Sequence, residues 1–196
     1  MWEKVTGPPG VTVYAESLDA CVPMYFDASL EDVRGNPDAA LQRGVPVHDG
    51  EHLPVELPLT LQAKTSQAVV ITGVKVKVLS NTALPASGVI VNPDGCGGGM
   101  TPRVFDVDLT ATPVPVQPVA SGDGETVDFP LKVSDSDPEQ LSLQLDPGDH
   151  DVRFTVQVEW VADGEYGSEV LDNNGLGYRV MGNGDIPAYD KAELYR

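Results

Sequence analysis

Residues 152–160 read Val152-Arg153-Phe154-Thr155-Val156-Gln157-Val158-Glu159-Trp160. Val152, Phe154, Val156, Val158 and Trp160 fall on one side of an extended chain. Arg153, Thr155, Gln157 and Glu159 fall on the other. Strict period-2 alternation marks a strand with one face on a core and one in water. The same rhythm recurs outward from this stretch. Val11-Thr12-Val13-Tyr14-Ala15 begins it, and Leu57, Leu59 and Leu61 repeat it in 55–63. It returns with Val74, Val76 and Val78, with Phe105, Val107 and Leu109, with Val127, Phe129, Leu131 and Val133, and with Leu141, Leu143 and Leu145.

Turn chemistry separates these runs. Asn92-Pro93-Asp94-Gly95, Asp146-Pro147-Gly148-Asp149, Ala162-Asp163-Gly164-Glu165 and Asp172-Asn173-Asn174-Gly175 supply residues that accept tight turns. Asp163-Gly164 predicts a hairpin joining 152–161 to 166–171. Pro147-Gly148 extends this to a three-strand meander that includes 140–145. One short helix is predicted at 37–43, with Asn36 as N-cap, Pro37 in the first helical position and Gly44 after the end. The pattern predicts an all-β, antiparallel, immunoglobulin-like Greek-key sandwich of about nine or ten strands. A closed barrel is the other architecture compatible with it. Pro58, Pro113 and Pro115 are expected on protected edges, since proline cannot donate to a central ladder. Residues 1–10 read as a tether and 11–196 as a single sandwich domain. The Pro-rich segment 111–126, an edge strand or connector, is the one credible internal boundary.

Composition excludes several functions. The chain has 196 residues, with 12 Lys+Arg against 30 Asp+Glu and a formal net charge of −18. Such a polyanion lacks the cations that neutralise a nucleic-acid backbone, and it is repelled by an anionic membrane surface. A hydrophobic content of 41% is too high for general disorder. No apolar run approaches the roughly 18 residues of a membrane span. Met1-Trp2-Glu3-Lys4 has no basic start followed by an apolar stretch, so it is not a signal peptide. The two readings are a cytosolic protein and a domain whose targeting segment has been removed, and the second is preferred.

Candidate chemistry is sparse. His48-Asp49-Gly50-Glu51-His52 is the one histidine cluster, but Gly50 interrupts it and Pro46 and Pro54 flank it, so it reads as a solvated loop. Asp106/Asp108, Asp135/Asp137 and Asp146/Asp149/Asp151 are acidic groups of a kind that calcium uses in loops. None matches the twelve-residue EF-hand pattern, and they read as solvated turns. Gly97-Gly98-Gly99 lacks the Lys and Ser/Thr of a phosphate-binding loop. No Gly-x-Ser-x-Gly occurs. No catalytic, cofactor-binding or metal-binding residue is therefore assigned, no cofactor is expected, and the protein is read as a non-enzyme. The aromatics Trp2, Tyr14, Tyr25, Tyr166, Tyr178, Tyr189 and Tyr195 leave open a sugar-stacking platform, and with it a module that binds a glycan or another envelope ligand, with calcium held by an acidic loop as an option within that alternative.

The chain has two cysteines, Cys21 and Cys96. Without a CxxC pair they cannot build a tetrahedral metal site. Either both are free thiols or they form one disulfide. The disulfide is the preferred reading, because Asp94-Gly95-Cys96-Gly97-Gly98-Gly99 is a loop whose backbone freedom needs restraint. A disulfide also places the domain outside the cytosol.

The stretch from Ile71 to Val133 carries a resemblance. Its specific parts are Gly95-Cys96-Gly97-Gly98-Gly99, Thr101-Pro102-Arg103 and Phe129-Pro130-Leu131-Lys132-Val133-Ser134. It resembles uncharacterised actinobacterial proteins, common in Streptomyces, that carry such a domain beyond an N-terminal membrane-spanning segment. The resemblance covers 55–175. It implies a secreted or membrane-anchored β domain at the cell surface, and it implies no activity. It also implies that Cys21 and Cys96 are the family's loop cysteines. The expected role is a non-enzymatic extracytoplasmic interaction or structural module. The expected partner is a protein or envelope component, with no nucleic acid, and with membrane contact only through an N-terminal anchor.

Overall fold

The computed structural model describes residues 10–18, 21–37, 43–94, 102–120, 124 and 126–195. In chain order the strands among them are β1 (Val11–Ala15), β2 (Met24–Phe26), β3 (Val45–His48), β4 (Val55–Ala63), β5 (Val69–Ala83), β6 (Val89–Asn92) and β7 (Arg103–Asp108). There follow β8 (Val116–Val119), β9 (Leu131–Val133), β10 (Glu139–Asp146), β11 (His150–Ala162), β12 (Glu165–Leu171), β13 (Tyr178–Gly182) and β14 (Ala188–Asp190). They form two sheets. The five-stranded sheet has the order β1-β4-β10-β7-β8; the nine-stranded sheet runs β14-β6-β2-β3-β13-β11-β5-β9, with β12 beside β11. The all-β sandwich expected from the sequence is the architecture found. It has more strands than the nine or ten expected. Three pairings, β10 with β7, β13 with β3 and β14 with β6, are parallel.

The apolar sets read from the sequence face one another between the sheets. Leu57, Leu59 and Leu61 of β4, Leu141, Leu143 and Leu145 of β10 and Phe105 of β7 are buried, as are Val152, Phe154, Val156 and Val158 of β11. β5 pairs with β11 along most of its length, and its register shifts twice, between Arg153 and Phe154 and between Glu159 and Trp160. Each shift leaves an extra residue in β5 and inverts its alternation. Val69 and Ile71 therefore point inward at odd positions, while Val74 and Val76 point inward at even ones. A buried cluster continuous from Val11 to Leu194 results.

Several expectations need correction. The Asp163-Gly164 hairpin forms, with both residues at positive φ (52° and 79°). The larger meander does not, because β10 lies in the five-stranded sheet and β11 in the other. Pro147-Gly148 instead turns the chain from one sheet to the other, with Gly148 at φ 56° and its N–H donating to Asp146 Oδ1 at 2.8 Å. Pro58 is not on an edge: β4 lies between β1 and β10, and Pro58 pairs with Ser142. Its carbonyl still accepts from the Glu16 N–H at 2.9 Å. The Pro-rich segment does supply an edge strand, β8. Of the strand expected at 127–133, Leu131–Val133 forms, because Pro130 cannot donate to a ladder. Most of the helix expected at 37–43 lies outside the described residues, as does the tether up to Pro9. A helix that went unpredicted, α1, spans Leu30–Gly35. Its N-cap is Ser29, whose Oγ accepts from the Asp32 N–H at 3.2 Å while the Asp32 carboxylate accepts from the Ser29 N–H at 3.3 Å.

A second apolar cluster lies apart from the main core. Tyr25, Val45, Val47, Ile90 and Met181 are buried together, with Leu84 and Ile186 packed over them. Strands β2, β3, β6 and β13 are thus covered on both faces where they pass beneath it.

Candidate functional site

Parallel strands β3 and β13 are paired at Met181 with Val47 and at Gly182 with His48. Toward their N-terminal ends they part. Pro46 has no N–H to continue the ladder. On the other side the chain enters β13 from a tight reversal, with Asn173, Asn174, Gly175 and Gly177 all at positive φ (49°, 58°, 82° and 72°). The Gly177 N–H donates to the Asp172 carbonyl at 2.7 Å, and Asn173 Nδ2 donates to the Gly177 carbonyl at 3.2 Å. This asparagine- and glycine-rich turn was legible in the sequence as a turn. What it positions was not.

The fork is a cleft of about 480 Å3. Gly44 and Pro46 line one wall, Tyr178 and Arg179 the other, and Glu16 and Arg153 complete it. Its volume lies within the range of small-molecule and peptide sites. Arg179 is neutralised by its neighbour: Nε donates to Asp151 Oδ1 at 2.8 Å and Nη2 to Oδ2 at 2.6 Å. The Asp151 hydrogen bonds raise the Arg179 pKa further against the opposing effect of burial. Arg153 differs. Its Nη1 donates to the Leu176 carbonyl at 3.2 Å, and among the described residues no carboxylate lies within ion-pair distance of it. Burial, and then the charge of Asp172, raise the Tyr178 phenol above its ordinary pKa, so at neutral pH it is an uncharged donor. Its ring tilts against Phe154 at a centroid distance of 5.7 Å. The cleft therefore offers a cation, a phenol and a carboxylate around a partly apolar floor.

The residues weighed from sequence fall elsewhere. His52 Nδ1 lies 2.6 Å from Asp49 Oδ2, and Asp49 Oδ1 accepts from the N–H groups of Glu51 and His52 at 3.0 and 2.9 Å. Asp49–His52 is thus a turn closed on its own aspartate, while His48, expected in the same loop, is the last residue of β3. His48 faces a second groove of about 490 Å3 with Asp106, Asp108 and Asp146. Asp108 Oδ1 accepts from Thr110 N and Oγ1 at 2.9 and 2.6 Å. Among the described residues no three His, Cys, Asp or Glu side chains are gathered as metal ligands. Asp151 is held by Arg179, away from Asp146. Tyr14 on β1 and Tyr166 on β12 are exposed on different sheets, and Tyr25 is buried. Trp2 lies outside the described residues. So do Gly97-Gly98-Gly99 and Cys96, and with Cys96 the predicted bridge. Cys21 is described, at φ 64°, and no free cysteine is found among the described residues.

Sequence reasoning placed Arg153 only as an outward residue of a strand, and it passed over Glu16 and the cleft role of Tyr178. Their convergence depends on β13 lying beside β11 with Arg179 opposite Arg153. No local signal carries that pairing. The chain matches no family model, no curated protein and no solved structure.

Proposed function

We propose that this protein is a non-enzymatic interaction module working outside the cytoplasm, in a membrane-anchored or secreted protein of the actinobacterial kind it resembles. It engages its partner, a protein or envelope component, through the fork between β3 and β13. The carrying observation is Arg153, a cation held in that cleft by a backbone carbonyl and by no carboxylate among the described residues. A guanidinium set in a cleft without a carboxylate partner among the described residues attracts an anionic group even in a chain of net charge −18. A carboxylate of the partner pairs with the guanidinium, and Tyr178 donates beside it. The extracytoplasmic assignment rests on the resemblance and on the disulfide expected from the sequence between Cys21 and Cys96, a bond that oxidising compartments preserve.

A glycan or other envelope ligand is the second reading. The Tyr178 ring, with Asn173 and Glu16 in the same cleft, favours it. One titration addresses both. Amide shifts are followed by NMR as an acidic peptide, a uronic-acid oligosaccharide and a neutral oligosaccharide are added in turn. Shifts confined to 43–46 and 173–179, lost in Arg153→Gln with the rest of the spectrum unchanged, support the cleft. Silence with all three probes overturns it. Protease access to the full-length gene product on intact cells tests location, and a protected cytosolic pool overturns that assignment.

A further inference from the structure

The nine-stranded sheet has an edge outside its main strand order. β12 pairs with β11 along its whole length, from Ala162 opposite Glu165 to Val156 opposite Leu171. Among the described residues no other strand pairs with it. Its outer backbone groups therefore form an open edge, a template for another strand. The side chains on it are unusual for an edge. Tyr166 is 87% exposed and Val170 is 55% exposed, and both lie on the same face of the strand with Ser168 between them. Glu165 and Glu169 point to the opposite face.

We propose that β12 is the seam of a homodimer, in which two copies pair antiparallel about a two-fold axis through Ser168. The register follows from the sequence of the strand. Centred on Ser168, the pairing sets Tyr166 of each chain against Val170 of the other, twice. Aromatic and β-branched residues directly opposite are a favourable cross-strand pair. Glu165 meets Leu171, and Glu169 meets Gly167, so no glutamate faces a glutamate. The two nearest registers that keep the same faces fail this condition. Centred on Gly167, the pairing opposes Glu165 to Glu169; centred on Glu169, it opposes Glu169 to itself. Like charges directly opposite destabilise such pairs. Of these three registers, the glutamates that guard the edge against unrelated strands leave open only the one centred on Ser168, which also uses the whole strand. The partner is a second copy because the match between the two halves of β12 is internal to this sequence.

One strand edge is a small interface, so the dimer is a weak one. Each chain carries a net charge of −18, and that repulsion opposes association until salt screens it. Sedimentation velocity of the intact chain over a hundredfold range of concentration is the test. The expected result is a weight-average mass rising from 20.8 kDa toward twice that value, and rising further at higher salt. Val170→Glu places a carboxylate against Tyr166 and is expected to weaken the dimer about tenfold, roughly a 1.4 kcal/mol effect. Adding Tyr166→Lys to Val170→Glu puts opposite charges across the axis at both positions and restores association. Both sites are exposed, so circular dichroism is expected to show the same fold in all variants. A mass that stays flat in the native protein overturns the proposal. So does a Val170→Glu variant that associates as well as the native chain, or a double variant that does not recover.

Discussion

The five-stranded sheet with its facing strands β5 and β11, and the group of short strands β2, β3, β6 and β13, bury apolar residues by different means. In β4 and β11 buried residues alternate with partly exposed ones along most of the strand. In β2 all three residues are buried, and in β3 and β6 the first three are. Long strands of the first kind have one face on the core and one toward solvent. The short ones lie between the main core and the cluster of Tyr25, Val45, Val47, Ile90 and Met181. Alternation records a difference between two faces. Where both faces are covered the difference vanishes, and the strand reads as a brief apolar run.

Substitutions on the two sides of this comparison are expected to behave differently. Phe154→Ala removes a fully buried ring from β11 and its contact with Tyr178. It is expected to cost about 3–5 kcal/mol. Chemical denaturation should show a lower midpoint with cooperativity retained, because the main cluster is continuous. Met181→Ala removes a buried side chain from the outer cluster and should cost about 2–3 kcal/mol, the low end for such a change. Its signature is local. Hydrogen exchange should accelerate at 84–91 and 183–187, which lie at that cluster, before it does in β4 or β10. Equal acceleration in both regions would show that the two clusters open together and would erase the distinction.

The ion pair between Asp151 and Arg179 joins the two regions, since one residue is on long β11 and the other on short β13. The side chains keep 13% and 31% of their exposure. Asp151→Asn leaves the guanidinium half-buried without its counter-charge. The expected loss is about 1–2 kcal/mol, reduced from the value for a fully buried pair because water still reaches Arg179. Thermal unfolding measures it, and a double-mutant cycle with Arg179→Met isolates the coupling. The same variant frees a second cation at the cleft, so it should tighten binding of an acidic probe there.

What could be read from the sequence follows the same division. β1, β4, β10 and β11 were legible because each pairs a wet face with a dry one, and the Asp163-Gly164 hairpin because two left-handed residues need a residue set of that kind. Val45-Pro46-Val47 was not legible. A proline in a three-residue apolar run argues against a strand, and here it is accommodated where β3 and β13 diverge. Pro58 misled in the opposite sense: it argues for an edge, and in β4 it sits between two strands. The cleft was the least legible feature. Arg153 and Arg179 are far apart in sequence and meet by strand pairing, while Glu16 arrives from the end of β1. The outer cluster also depends on loops, those of Leu84 and Ile186, whose sequence gives no sign of where they fold back.

The smallest effect expected is acid sensitivity at two turns, one in each region. Asp108 ends β7 in the five-stranded sheet. The Thr110 hydroxyl and then its N–H hold the carboxylate below its ordinary pKa, with burial opposing them only third in order. Asp49 follows β3 in the short-strand region. Burial is the largest influence on it and pushes its pKa up, but hydrogen bonds from His52 and Glu51 together outweigh burial and leave it lowered. In both cases the folded pKa lies below the unfolded one. As pH falls, the unfolded chain takes up its proton first, so each turn's contribution is present above the ordinary carboxylate pKa of about 3.9 and is lost as pH falls through the folded value. Asp108→Asn and Asp49→Asn cannot titrate, so each should flatten the fall of the melting temperature between about pH 5 and pH 2. At Asp108→Asn the change comes from losing the Thr110 hydrogen bonds, and at Asp49→Asn from losing those of His52 and Glu51, which there act against burial. Neither variant should change the slope above about pH 6, where both carboxylates are ionised in either state. A steeper acid limb in Asp108→Asn would mean that the unfolded chain, and not the folded turn, holds that carboxylate in its charged form.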